Sequence, residues 1–69
     1  MIRFERAAPG KYAATRDGRT LAYIRRFQTK WIAWDALSQR AIRGPYGGLG
    51  GSPFNTLARA KDAIREQYG

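Results

Sequence analysis

The chain has 69 residues, with 13 lysines and arginines against five carboxylates, a formal net charge of +8, and no cysteine or histidine. Without cysteine and histidine there are no disulfides, no thiol catalysis and none of the commonest zinc ligands or proton carriers, so the composition argues against an enzyme. We expect one small domain over residues 1–69, without cofactor or metal, whose limited core can be supported by formation of a homo-oligomer.

Hydrophobic residues make up 43% of the chain but form no long uninterrupted run. Such short apolar runs predict neither a membrane span nor a signal peptide, and we therefore expect a cytoplasmic protein that does not bind membranes. The same hydrophobic share argues against a disordered chain.

Three segments within residues 11–36 have the composition of β-strands. They are Lys11–Arg16, Thr20–Phe27 and Lys30–Ala36. Asp17-Gly18 is typical of a type I′ hairpin turn, and Gln28-Thr29 predicts a second two-residue turn. The alternation in Ile2–Glu5, which ends before the turn signal Pro9-Gly10, indicates an additional edge strand.

Two-residue turns fix the pairing expected within the hairpins. In the first hairpin they place Ala14 opposite Leu21 and Tyr12 opposite Tyr23. The second hairpin gives three further pairs: Tyr23 with Trp34, Arg25 with Ile32 and Arg26 with Trp31. Each face of the sheet then holds one tryptophan, and the pattern leaves open which face forms the core.

The segment after the third strand is polar and contains five of the eight glycines, all within residues 44–53. It has neither the lysine of a phosphate-binding loop nor the last glycine of a dinucleotide-binding motif, so we interpret it as a connector. Ala41-Ile42 before it can add a short strand. From Thr56 to Tyr68 the pattern predicts an amphipathic helix, capped by Asn55 or Thr56. Its apolar stripe consists of Leu57, Ala60, Ala63, Ile64 and Tyr68.

We therefore predict an α+β fold: a three-stranded antiparallel sheet, four-stranded with the N-terminal segment, packed on one C-terminal helix. One sheet face stays exposed, and its cations and aromatic rings make it a candidate binding surface. The candidate contact residues are Arg16, Arg19, Arg25, Arg26, Lys30, Trp31, Trp34 and Arg43.

Ten of the 13 cations are arginine, whose planar guanidinium suits phosphates, guanine edges and carboxylates. Tryptophan beside arginine can stack on a base or pack on a sugar. The expected partner is nucleic acid, double-stranded DNA first, and the alternative is the acidic surface of a protein.

The segment FNTLARAKDAI (Phe54–Ile64), following GKYAATRDGRTLAYI, resembles the AP2-like, arm-type N-terminal DNA-binding modules of tyrosine integrases. In that family a three-stranded sheet packs on a C-terminal helix and enters the DNA major groove. The resemblance implies that Thr56 caps the helix and that Ala60 packs it against the sheet. The DNA contacts it implies are Arg16, Arg19, Arg25 and one of Trp31 and Trp34.

Four motifs also resemble small accessory proteins encoded by phages of actinobacteria. They are Pro9-Gly10-Lys11-Tyr12, Asp17-Gly18, Trp31-Ile32-Ala33 and Thr56–Lys61. The resemblance implies a phage-encoded, non-enzymatic DNA-binding protein in the cytoplasm of a bacterial host. The alternative function is host takeover, in which the same arginines bind a host protein and inhibit or redirect it.

Overall fold

The structure, a computed structural model, describes residues 1–42 and 53–69. Candidate residue Arg43 and the predicted glycine-rich loop, except Pro53, lie outside the described residues. The elements are β1 (Arg3–Ala8), β2 (Lys11–Arg16), β3 (Arg19–Phe27), β4 (Lys30–Asp35) and α1 (Leu57–Tyr68). The strands form one antiparallel sheet in chain order, so the predicted α+β fold is confirmed in its four-stranded form.

The hairpins turn at the predicted residues. Asp17 and Gly18 have φ values of 52° and 78°, as a type I′ turn requires, and Gln28 has a φ of 57°. Gly10 has a φ of 75°, and a Cβ atom there would meet the Cβ of Arg26 at 3.3 Å. The turn at Pro9-Gly10 therefore favours glycine, for its positive φ and for its close approach to Arg26.

The pairing of β2 with β3 contains an irregularity that the sequence did not reveal. From the turn outward the pairs are Arg16 with Arg19, Thr15 with Thr20, Ala14 with Ala22, Ala13 with Tyr23, and Tyr12 with Ile24. Leu21 is thus an extra residue that forms a β-bulge. The predicted pairs Ala14–Leu21 and Tyr12–Tyr23 are wrong, because the bulge shifts the register by one residue. In the second hairpin, which has no bulge, all three predicted pairs are confirmed.

The core lies between one sheet face and α1. Its buried residues are Ala14, Ala22, Ile24, Ala33, Ile42, Phe54, Ala60, Ala63 and Ile64. Alanines on both sides allow the helix to approach the sheet closely, and the predicted apolar stripe of the helix is the side that is buried or half-buried. The large fully buried side chains are Phe54, Ile24 and Ile64, each of which contributes about 1.5–3 kcal/mol by burial.

Both ends of the helix are fixed by side chains. Thr56 is the N-cap, and its Oγ1 accepts a hydrogen bond from the backbone N–H of Arg59 at 3.2 Å. A cap of this kind contributes about 1 kcal/mol. At the other end, Arg16 Nη1 donates to the carbonyl of Tyr68 at 2.8 Å, which places a cation at the negative end of the helix.

After β4 the chain turns back along the outer edge of that strand. Ala41 forms an antiparallel bridge with Trp34, and the N–H of Ile42 donates to the carbonyl of Ala33 at 2.7 Å. The short strand predicted at Ala41-Ile42 is therefore present as a single bridge.

Phe54 occupies the other end of the same edge. It exchanges two backbone hydrogen bonds with Trp31, at 2.7 and 2.8 Å. A continuous strand that began at Ala41 would place its fourth residue, position 44, opposite Trp31. Phe54 holds that place instead, and it is ten positions further along the chain than position 44. The two bridges therefore belong to one strand register.

Deletion of residues 43–52 is expected to leave the domain folded, because Ile42 then joins Pro53 and Phe54 keeps its place opposite Trp31. Pro53 falls opposite Ile32, between the hydrogen-bonded positions Trp31 and Ala33, where a missing N–H removes no bond to β4. We expect the free energy of unfolding, measured by chemical denaturation, to stay within about 1 kcal/mol of the parent.

Deletion of residues 44–52 is the matched control. This deletion removes one residue fewer, so Phe54 is displaced by one position along the strand and its ring turns to the opposite face of the sheet. We expect this variant to lose about 3 kcal/mol or more, as when a core phenylalanine is removed. Unfolding of the ten-residue deletion would contradict the shared register.

Candidate nucleic-acid interface

The sheet face opposite α1 carries side chains that alternate with the core residues. We call it the open face. Strand by strand, its residues are Arg3 and Glu5; Lys11, Ala13 and Thr15; Tyr23, Arg25 and Phe27; and Lys30, Ile32 and Trp34. Tyr23 and Phe27 are 47% and 61% exposed, so large rings as well as cations are presented to solvent.

One part of the open face concentrates both kinds of side chain. Lys11, Tyr23, Arg25 and Trp34, which we call the basic aromatic patch, line a shallow depression of about 440 Å³. A second depression of about 400 Å³ lies at the sheet end and is lined by Pro9, Gly10, Lys11, Arg25, Arg26 and Gln28. Lys11 and Arg25 line both depressions, so they are at the centre of the candidate site.

The central cations lie directly opposite each other on neighbouring strands. Lys11 of β2 pairs with Arg25 of β3, and side chains in such pairs have Cβ atoms about 5 Å apart. Within the described residues, neither cation has a carboxylate partner, and no carboxylate lines either depression. Because like charges in this position repel, an anion bound between them would remove an unfavourable interaction.

The opposite end of the open face has a mixed charge. A depression there is lined by Arg3, Glu5 and Asp17, together with Met1, Thr15, Gly18 and Thr20. Two carboxylates beside one arginine do not favour an anion. The excess of positive charge on the open face is therefore concentrated at the basic aromatic patch.

Of the predicted site residues, the structure places Arg25, Lys30 and Trp34 on the open face. Arg26 has the opposite side-chain parity, but it lines the depression at the sheet end, and its Nε donates to the carbonyl of Gln28 at 2.9 Å. Lys30 Nζ donates to Asn55 Oδ1, so this cation is engaged next to the start of α1.

Three other predicted site residues lie away from the patch. Arg16 is on the covered face and is bonded to the helix end, and Arg19 lies opposite it, exposed beside the turn. Trp31 is half-buried on the covered face, where its ring centroid lies 5.9 Å from that of Tyr12. The two tryptophans are thus divided between the faces, as their parity predicted.

Sequence reasoning missed Lys11 and Tyr23 as members of the site. Without the bulge, the turn at Asp17-Gly18 places Lys11 opposite Ile24. The actual partner of Lys11 is Arg25. Nothing in the sequence marks the bulge, so the cation pair becomes visible only in the structure.

The helix cations nearest the sheet contact aromatic rings on the covered side. Lys61 Nζ lies 5.4 Å from the ring centroids of both Phe4 and Tyr12, and the guanidinium of Arg65 lies 5.0 Å from that of Phe4. Arg65 also forms an ion pair with Asp62 at 2.9 Å. These cations therefore help to seal the core beside β1.

A scan against protein-family models and searches of curated proteins and of solved structures give no match. In the part of the chain that the structure describes, no helix is long and apolar enough to cross a membrane. Among the same residues, no three carboxylates are grouped as metal ligands. The function is therefore argued from the open face.

The groups with shifted pKa values lie at the end of the core and not in the patch. The Tyr68 hydroxyl bonds the carboxylate of Asp35, which also accepts the N–H groups of Ser38 at 2.7 Å and Leu37 at 3.1 Å. These hydrogen bonds, that from Tyr68 foremost, hold the pKa of Asp35 below its usual value. Burial, with the neighbouring carboxylate, raises the pKa of Tyr68 to about 12.

Stability should therefore fall at both extremes of pH. Asp35 contributes while it is ionised, so its contribution is lost as the pH drops below about 4 and through its lowered pKa. Tyr68 contributes while it is protonated, so its contribution is lost as the pH rises from about 10 towards 12. We expect the free energy of unfolding to decline in both ranges, and to decline less in Tyr68→Phe.

Absorbance titration of the tyrosines separates this contact from general denaturation. The parent should show a tyrosine that ionises near pH 12, and Tyr68→Phe should lack it. Tyr23→Phe, which changes an exposed ring, should retain it, and Asp35→Asn should move it towards pH 10. If this titration step persists in Tyr68→Phe, the assignment is wrong.

Proposed function

We propose that this protein is a small, basic, non-enzymatic DNA-binding protein that holds double-stranded DNA against the basic aromatic patch. The observation that carries the proposal is the cross-strand pair of Lys11 and Arg25, two cations without a described carboxylate partner, flanked by the rings of Tyr23 and Trp34. The net charge of +8 adds long-range attraction to a polyanion.

The cations and the aromatic rings of the patch would contact different parts of the DNA. Lys11 and Arg25 suit phosphate oxygens, which position a protein on DNA, and the guanidinium can also bond a guanine edge. Tyr23 and Trp34 offer flat apolar surface for sugars and bases. The arm-type modules that the sequence resembles likewise use a sheet left free on the side opposite one C-terminal helix.

Salt titration of binding to a generic DNA duplex tests the role of the cation pair. The logarithm of the association constant should fall linearly with the logarithm of the salt concentration. Arg25→Ala should weaken binding about tenfold at low salt and reduce the slope by about one, because one phosphate contact is lost.

Arg6→Ala is the matched control. Arg6 is an exposed strand arginine that lies opposite Tyr12 and so has the parity of the covered face. Its loss changes the net charge equally but should leave affinity within about twofold and the slope nearly unchanged. Equal losses in both variants would mean that total charge and not the patch binds DNA, and failure of the parent to bind at low salt would overturn the proposal.

Tryptophan fluorescence tests whether the ring of Trp34 contacts the ligand. DNA should quench the emission of Trp31→Phe, in which Trp34 is the remaining tryptophan, because the half-buried ring of Trp34 lines the depression on the open face where bases would stack. The emission of Trp34→Phe should change little, since Trp31 is on the covered face.

A single-stranded oligonucleotide of the same length is the comparison ligand. Tighter binding of the single strand than of the duplex would contradict duplex DNA as the ligand. Equal quenching in the two tryptophan variants would place the ligand elsewhere on the protein.

A further inference from the structure

The two edges of the sheet differ in what they leave unpaired. The outer edge of β4 is bonded by Ile42 and Phe54. The other edge is β1, and among the described residues no segment pairs with its outer side. The bulge at Ala7, between Arg6 and Ala8, ends the regular part of this free edge.

Alternation of the backbone hydrogen bonds shows which groups of β1 point outward. The N–H of Arg26 donates to the carbonyl of Gly10 at 2.8 Å, so even-numbered residues of β3 bond towards β2. The even-numbered residues of β2 are their partners, so their backbone N–H and C=O groups point towards β3. The backbone groups of Ala13 and Thr15 therefore point the other way, towards β1.

The same alternation continues into β1. Arg3 and Glu5, the partners of Thr15 and Ala13, bond inward. The backbone groups of Phe4, and of Ile2 and Arg6 on either side of it, therefore point away from the sheet. Phe4 is at the centre of a free edge of five residues.

We propose that a second copy of this chain pairs antiparallel with β1, with the two Phe4 residues opposite each other. The outward groups of Ile2, Phe4 and Arg6 then bond those of Arg6, Phe4 and Ile2 in the second copy. On the open face, Arg3 lies opposite Glu5 of the second copy, and Glu5 opposite its Arg3. Two ion pairs therefore flank the symmetry axis.

Charge and hydrogen bonding select this register over its neighbours. A pairing centred on Arg3 sets two arginines against each other, and one centred on Glu5 sets two carboxylates against each other. Both also join only two pairs of residues whose backbone groups point outward, against three pairs in the register centred on Phe4. Within the described residues Arg3 and Glu5 have no ion-pair partner. In the dimer, each of them gains an ion-pair partner from the second copy.

The pairing closes at two chains. Among the residues that the structure describes, the β4 edge is occupied and β1 is the one free edge, so pairing through β1 leaves no described edge from which a fibre could grow. An edge of five residues buries little surface, and we expect a weak, concentration-dependent dimer. The inference does not depend on DNA binding, because the dimer is formed by β1 and the basic aromatic patch by the other strands.

Analytical ultracentrifugation of the DNA-free protein tests the dimer. The parent should pass from monomer to dimer as its concentration rises. Arg3→Glu and Glu5→Arg should each raise the dimer dissociation constant by about tenfold or more, because both place like charges opposite each other. The double variant that exchanges the two charges should return to within about threefold of the parent.

Arg19→Glu is the control, because it changes charge at the exposed turn between β2 and β3 and should leave the dimer unchanged. Circular dichroism checks that every variant is folded. A parent that is monomeric at all concentrations, or that forms assemblies larger than two, would overturn the proposal. Single reversals that leave the dimer intact, or a double exchange that fails to restore it, would overturn the register.

Discussion

The extra residue at Leu21 is the constraint on which the rest of the structure depends. It brings Tyr12 and Ala14 to the face that also holds Ala22 and Ile24, and a regular hairpin would turn them to the other side. The bulge also leaves the Leu21 carbonyl free to accept the N–H of Ala36 at 2.9 Å, and the Tyr68 hydroxyl, which donates to Asp35, lies 3.2 Å from the same carbonyl oxygen. The same irregularity therefore selects the core face and fixes the end of the helix above it.

Much of the fold could be predicted because its turns carry their own chemistry. Asp17-Gly18 tolerates positive φ at both positions, and the helix stripe and the Thr56 cap follow from spacing and hydrogen-bonding capacity. The bulge could not be predicted, because leucine has no preference that marks it as an extra strand residue. The face of Trp31 and Trp34 remained undecided for the same reason, since packing against α1 decides it and the strand pattern does not.

Phe54 shows a second limit of sequence reasoning. It lies just before the predicted helix cap, and it is fully buried and bonded to Trp31 on the edge of β4. Its partner precedes it by 23 positions in the chain. Local patterns carry no information on a pairing between such distant positions. The candidate site was also predictable only in part. Arg25 and Trp34 belong to the regular hairpin of β3 and β4, whereas the position of Lys11 opposite Arg25 depends on the bulge in the hairpin of β2 and β3.

The distribution of charge links the open face to the free edge. Asp35 bonds Tyr68 on the covered side, and Asp62 pairs with Arg65 on the helix, so these carboxylates do not oppose an anion on the open face. Glu5 does lie on that face, at the end away from the patch. In the dimer it would be neutralised by Arg3 of the second copy, and the two patches would lie on one continuous eight-stranded sheet. Dimer formation would then strengthen binding to a long polyanion in two ways, by removing local repulsion and by presenting two sites at once.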